Sequence, residues 1–201
     1  MPALSRRQQR DRTRRHLLET TVECLVEYGY SGTTTQRIQE RAGLSRGALL
    51  HHFRSKAELF AAAVGYLAEL QLAEIGAAGS RTDPEASRAR LAAVRAAMSG
   101  PAFQAALELW MAARTDPALR EALLPSQREI GRAVRELLSG EFADRDPRRA
   151  RVAYESLFML LRGLALTSTL REDRALADDI LDLWVTRVLT PQSSESGLSA
   201  P

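Results

Sequence analysis

Few side chains in this sequence could do covalent or metal chemistry, and their spacing argues against both. The three histidines are His16, His51 and His52. Successive helical residues point about 100° apart, so His51 and His52 cannot chelate one ion together, and His16 adds no recognised ligand spacing. The one cysteine, Cys24, excludes an internal disulfide and sits beside an apolar stripe, where it reads as a small core residue rather than a redox sensor. No Ser-His-Asp or Cys-His set, phosphate loop or metal-ligand cluster is apparent, so neither an enzyme nor a cofactor nor a metal is expected. The chemistry that remains is charge. Residues 1–60 hold 11 Lys and Arg against 6 Asp and Glu, a balance of +5, and the rest holds 17 against 19, a balance of −2. The basic end is the expected contact for a polyanion such as DNA.

Those charges need a scaffold, and composition specifies its class. Of 201 residues, 45% are apolar but only 5% aromatic; Ala, Leu and Arg are abundant and runs of Val and Ile are absent. That mixture favours helix over sheet, so an all-α chain of about nine helices is expected. The longest apolar run, residues 156–170, is shorter than the roughly 20 residues of a membrane span and carries Arg162 near its middle, which suits a buried helix of a soluble protein. The basic N-terminus has no apolar stretch after it that could serve as a signal peptide, and a cytoplasmic location is expected.

Helical spacing of Leu17, Leu18, Thr21, Val22, Leu25 and Val26 marks helix one, preceded by an Arg-rich arm (residues 1–12) and stopped by Gly29. Thr34 or Thr35 can cap a short second helix with Ile38 and Ala42 inward, ended by Gly43. Ser45 caps a third, with Leu44 and Leu49 placed as a hydrophobic staple, and Ser55-Lys56-Ala57-Glu58 is a capping box opening a fourth that reaches about residue 77. Beyond a linker at residues 79–83, Pro84 and the pairs Asp116-Pro117 and Asp146-Pro147 punctuate further helices over about 84–98, 101–114, 117–139, 147–170 and 173–189, with a bend at Pro125. This divides the chain into a DNA-binding domain over 1–60, a helical domain over 61–190 and a disordered tail over 191–201.

Two short helices joined by a glycine-containing turn and braced by a third are the recipe for a helix-turn-helix. Gly29-Tyr30, Thr33-Thr34, Ile38, Arg41-Ala42-Gly43-Leu44-Ser45, Gly47, Leu49, His52-Phe53, Ser55-Lys56 and Leu59-Phe60 make residues 14–60 resemble the N-terminal domain of TetR-family regulators. The resemblance implies all-helical homodimeric repressors that bind palindromic operators and release them when a small molecule occupies the C-terminal domain. It places Thr34, Thr35 and Gln36 at the DNA-facing start of helix two, Ser45, Arg46, Gly47, Ala48 and His51 on the exposed face of the recognition helix, and Lys56 at a phosphate. Physical chemistry agrees for Arg46, whose fork geometry can read guanine in the major groove. Leu50 stands where the family usually has a tyrosine, so one phosphate hydrogen bond is missing, a loss on the order of 1 kcal/mol that His51 and the N-terminal arginines can offset.

In the second domain, Phe103, Leu107, Trp110 and Met111 recur at helical spacing, as do Tyr154, Phe158, Leu161 and Ala165. They are core residues or, in part, the lining of an adaptable apolar cavity for a mostly apolar effector. Glu108 and Arg162 interrupt these apolar helices, and each must reach solvent, find a partner (a salt bridge between them is one) or orient the polar end of a ligand. Leu176, Ile180, Leu183, Trp184 and Val188 form a stripe which, with the apolar helix before it, could close a four-helix bundle with a second subunit. A constitutive helix-turn-helix protein without an effector is the alternative reading.

Overall fold

The structure, a computed structural model, describes residues 5–77, 92–142, 146–170 and 173–189. Every regular element among them is helical: α1 (Arg6–Gly32), α2 (Thr35–Ala42), α3 (Arg46–His52), α4 (Lys56–Ala77), α5 (92–97), α6 (Pro101–Ala113), α7 (Pro117–Leu137), α8 (Pro147–Thr167) and α9 (Arg174–Trp184), with a 3-10 turn at Ser139–Phe142 and a π turn at Val185–Leu189. The all-α expectation holds. The helix expected over 84–98 is described only in its last part, and the tail expected over 191–201 lies outside the described residues. No helix among the described residues is long and apolar enough to cross a membrane.

The caps fall where the side chains require. Thr34 Oγ1 accepts the Arg37 N–H at 3.1 Å, and Gly43 ends α2 in the left-handed region at φ 65°. Ser45 Oγ accepts the Ala48 N–H at 3.3 Å, and Ser55 Oγ the Glu58 N–H at 3.1 Å. The Arg-rich stretch expected as an arm is instead helical. Ser5 Oγ accepts the Gln8 N–H at 3.2 Å and Gln8 Oε1 accepts the Ser5 N–H at 2.9 Å, a capping box that starts α1 well before its apolar stripe. At the other end Gly29, at φ 64° and ψ −177°, breaks the helical run. Fully buried Thr33 then brings its hydroxyl to 2.9 Å from the Cys24 carbonyl and 2.7 Å from that of Gly29, which also accepts the Thr33 N–H at 3.2 Å, tying the end of α1 back on itself. Helix α7 runs through Pro125 as a single helix.

The described packing divides the chain into two compact units, Met1–Leu137 and Leu138–Pro201. A boundary expected at residue 60 is therefore not where the first unit ends. Helix α4 crosses that position without interruption and carries Leu59, Phe60, Ala63 and Val64 into one core with Leu17, Leu18 and Leu25 of α1, Ile38 of α2, Leu49 of α3, Leu109 of α6 and Leu119 and Leu123 of α7. Burying a side chain such as Leu59 or Phe60 contributes about 1.5–3 kcal/mol, so the helix-turn-helix depends on α6 and α7 to close its core.

The second unit is built on α8 and α9. Asp146 opens α8 by accepting the N–H groups of Arg148 and Arg149 at 3.0 and 3.2 Å, and Asp173 opens α9 by accepting that of Leu176 at 3.0 Å. Ala153, Tyr154, Leu157, Leu161 and Leu181 are buried, and the Trp184 indole N–H donates to Ser156 Oγ at 3.1 Å, tying the two helices together.

Candidate nucleic-acid interface

In the helix-turn-helix α2 buries Ile38, with Ala42 packed partly against the core, α3 buries Leu49, and most of the remaining surface of both helices faces outward. Thr34 and Gln36 are exposed and Thr35 half-buried; on α3, Ser45, Arg46, Gly47 and His51 are exposed and Ala48 half-buried. The structure thus gathers the sequence-derived residues of α2 and α3 on the outer surface of adjacent helices. The cap hydroxyls of Thr34 and Ser45 accept a backbone N–H each and keep their own proton to donate. Gln36 Nε2 donates to Glu40 Oε1 at 2.9 Å. Leu50 is exposed beside His51, an apolar side chain on an otherwise polar surface.

The basic charge of this region is not all available to a polyanion. Arg41 pairs with Glu23 at 3.1 Å and with Glu27, and Arg37 reaches the Gly32 carbonyl while its guanidinium lies 4.2 Å from the centroid of the Tyr28 ring. Hydrogen bonds from Tyr28 and then Arg41 hold the Glu27 carboxyl below its usual range, as expected for a carboxylate pinning α2 to α1. Arg46, by contrast, makes no hydrogen bond or ion pair among the described residues. Arg14, on the helical extension of α1, stacks its guanidinium 5.3 Å from the Phe53 ring at the end of α3. Burial, followed by the neighbouring charges of His51, Arg10 and Arg14, pushes the His52 imidazole below its ordinary value. Arg10 and Arg14 therefore flank the recognition helix. Arg10 falls within the arm expected over residues 1–12 and Arg14 just beyond it; the Ser5-Gln8 capping box is the signal that both lie on a helix.

Lys56, expected at a phosphate, lies against aromatic rings at the start of α4. Its ammonium lies 4.6 Å from the Tyr30 ring centroid and 5.0 Å from that of Phe60, half-buried, and desolvation lowers its pKa. The reason is tertiary: Tyr30 follows the break at Gly29 and presents its ring to the first turn of α4.

The residues expected to line a ligand cavity fall into both units. In the first, the Phe103 and Trp110 rings meet edge to face at 5.7 Å and Leu107 is half-buried, whereas Met111 is 64% exposed and contributes nothing to an enclosed lining there. Glu108 has found a partner in the backbone: its Oε2 accepts the Tyr30 N–H at 3.0 Å, and the residue is also exposed to solvent. In the second unit, buried Tyr154 stacks on Phe158 at 4.7 Å and the Arg162 guanidinium lies 5.8 Å from the Phe158 ring. No group of three or more His, Cys, Asp or Glu side chains among the described residues is arranged to hold a metal ion.

Two short capped helices on a shared core, with a polar outer face and a cationic helix beside them, define a helix-turn-helix DNA-binding protein. Residues 17–63 match the family model described as bacterial regulatory proteins, tetR family. The chain is 31% identical to the HTH-type transcriptional repressor AcnR of Corynebacterium glutamicum, over 93% of this chain and 87% of that one. It is 32% identical to the HTH-type transcriptional regulator BetI of Burkholderia mallei, over 96% and 100%. Among solved structures, that of multidrug binding protein EbrR complexed with ethidium superposes with a TM-score of 0.62 at 25% identity, over 86% of this chain and 97% of that one. The chain belongs to the tetR family of bacterial regulatory proteins, and it is a DNA-binding transcriptional regulator rather than an enzyme.

Proposed function

We propose that this regulator is a repressor that binds a palindromic operator as a homodimer and leaves it when a mostly apolar small molecule occupies its helical domain. Arg46 carries the DNA half of this reading, because it alone of the α2 and α3 arginines is exposed without a protein partner among the described residues. Arg46 reads a base edge, helped by Gln36, Ser45, Gly47, Ala48 and His51, while Thr34, Thr35 and the arginines of the α1 extension meet phosphates. The repressor named among its relatives supports the direction of control, and EbrR's complex with ethidium supports a small-molecule effector. In the first unit the Phe103 and Trp110 rings offer such a molecule its aromatic contacts; in the second, Tyr154 and Phe158 do so, with the Arg162 cation beside the Phe158 ring.

A ligand acts on DNA only if it prefers the conformation that spaces the two recognition helices wrongly for successive major-groove faces. The test is selection of duplexes from a random library by the purified chain, followed by operator affinity with and without compounds that calorimetry shows to be bound. Ethidium itself intercalates, so its binding is read on the protein alone. A selected palindrome released by bound compounds is expected. Bound compounds that leave operator affinity unchanged would favour the constitutive reading instead.

Salt dependence separates the cations. Each phosphate contact adds about 0.9 to the slope of log K against log salt. Arg14→Ala should reduce that slope by about this amount, whereas Lys56→Ala, removing an ammonium held over Tyr30 and Phe60, should leave it unchanged. A shallower slope in Lys56→Ala would restore that residue to the phosphate contacts.

A further inference from the structure

Tyr30 packs against the apolar core through Phe60, and it is also held by three charged groups, Glu108, Asp116 and Lys56, that neither the core nor the DNA-facing surface explains. Because Gly29 breaks the helical run of α1, the Tyr30 N–H has no helical acceptor, and Glu108 Oε2 on α6 accepts it at 3.0 Å. The Tyr30 hydroxyl donates to Asp116 Oδ2 at 2.7 Å, while Asp116 Oδ1 accepts the Leu119 N–H at 3.0 Å in the first turn of α7. The Tyr30 ring meets Phe60 of α4 edge to face at 5.8 Å, and the Lys56 ammonium lies over it. One residue in the last turn of α1, just beyond the break at Gly29, is thus fastened to α4, α6 and the start of α7. Apolar packing alone tolerates small rotations, but hydrogen bonds to carboxylates weaken steeply with misalignment, so these fix an angle.

We propose that Glu108 and Asp116 are positioning residues for operator recognition: through Tyr30 they set the angle of the helix-turn-helix against α6 and α7, and so the separation of the two reading heads in a dimer. This rests on the dimeric, operator-binding reading above. A head at the wrong angle keeps its own fold and its own contacts to one half-site. It loses the match to two half-sites at once, because symmetric dimers require recognition helices spaced by one turn of DNA.

Both bonds can be removed with little disturbance of shape. Tyr30→Phe deletes the bond to Asp116 and keeps the ring, Glu108→Ala deletes the acceptor for the Tyr30 N–H, and Glu108→Gln restores an acceptor oxygen. The probes are the duplex selected by the wild-type chain, the same duplex with one half-site scrambled, and the same duplex with one base pair inserted at its centre. Tyr30→Phe and Glu108→Ala should each weaken binding to the full site by about tenfold, leave the half-site unchanged, and discriminate less against the insertion. Glu108→Gln should behave as the wild type. Equal losses on full and half sites would show that the bonds only stabilise the head, and equal binding of the full site by all variants would show that they position nothing; either overturns the proposal while leaving operator binding intact. Failure of the wild-type chain to select any sequence would overturn the operator reading and this inference with it.

Discussion

Replacing Arg46 by alanine should weaken binding to the selected operator by about 1–3 kcal/mol, roughly 5- to 150-fold, and weaken binding to random duplex much less. The expectation follows from what the side chain is not doing. Arg37 and Arg41 lie on the same small domain and carry the same charge, but Arg41 is paired with Glu23 and Glu27 and Arg37 is bound to the Gly32 carbonyl and Tyr28. Such exposed pairs add little to the stability of the fold, yet they fix where the two guanidinium groups point. Arg46 sits in the first turn of α3 with no competing partner, so its planar fork is available to a guanine edge. Fluorescence anisotropy on the selected duplex and on a scrambled one at the same salt concentration checks this. Equal losses on both would make Arg46 a phosphate contact and move specificity to Gln36 or His51.

How much of this was legible in the sequence depended on how far each interaction reaches along the chain. Caps act over three residues, so Thr34, Gly43, Ser45 and the Ser55-Glu58 pair located their helix ends correctly, although the Glu58 carboxylate accepts the Arg54 N–H at 2.8 Å rather than that of Ser55. The helical α1 extension was legible by the same rule, in Ser5 and Gln8, but an Arg-rich stretch without an apolar stripe offers periodicity nothing to detect. Partners distant in sequence were not legible at all. Glu108 reads only as a carboxylate on an apolar helix, and its acceptance of the Tyr30 N–H spans 78 residues. Lys56 was assigned by family position to a phosphate, and only the tertiary placement of Tyr30 reveals the aromatic surface beneath its ammonium. The packing of α6 and α7 was likewise beyond the reach of sequence: the pattern of α4 does not show that these helices share its core with α1.

The larger effect is expected at the surface of the second unit, where a single carboxylate should separate the subunits. On α8, Val152, Met159 and Leu166 follow one another at intervals of seven and all are exposed, Met159 to 67%; on α9, Leu176 and Leu183 repeat the interval and the exposure, Leu183 to 59%. Intervals of seven keep residues on one helical face, and that face is distinct from the one that buries Tyr154, Leu157, Leu161 and Leu181. Of the stripe expected from sequence on α9, Leu176 and Leu183 are exposed, and Ile180, Trp184 and Val188 are half-buried. In the homodimer proposed above, a second copy of the same pair of helices would offer a complementary apolar surface and close a four-helix bundle about a two-fold axis that matches a palindrome. In such an isologous interface every substitution occurs twice. Met159→Glu or Leu183→Glu would bury two unpaired carboxylates, at a cost of about 3–5 kcal/mol or more, which should raise the dimer dissociation constant on the order of 10²- to 10³-fold. Light scattering at micromolar concentration should find the wild type dimeric and either variant monomeric, with helical content unchanged and affinity for the full operator reduced towards that for a half-site. Leu124→Glu, at an exposed leucine of the first unit, is the control and should remain dimeric. A monomeric wild type, or glutamate variants that stay dimeric, would place the subunit interface elsewhere and leave the exposed stripes of α8 and α9 without this role.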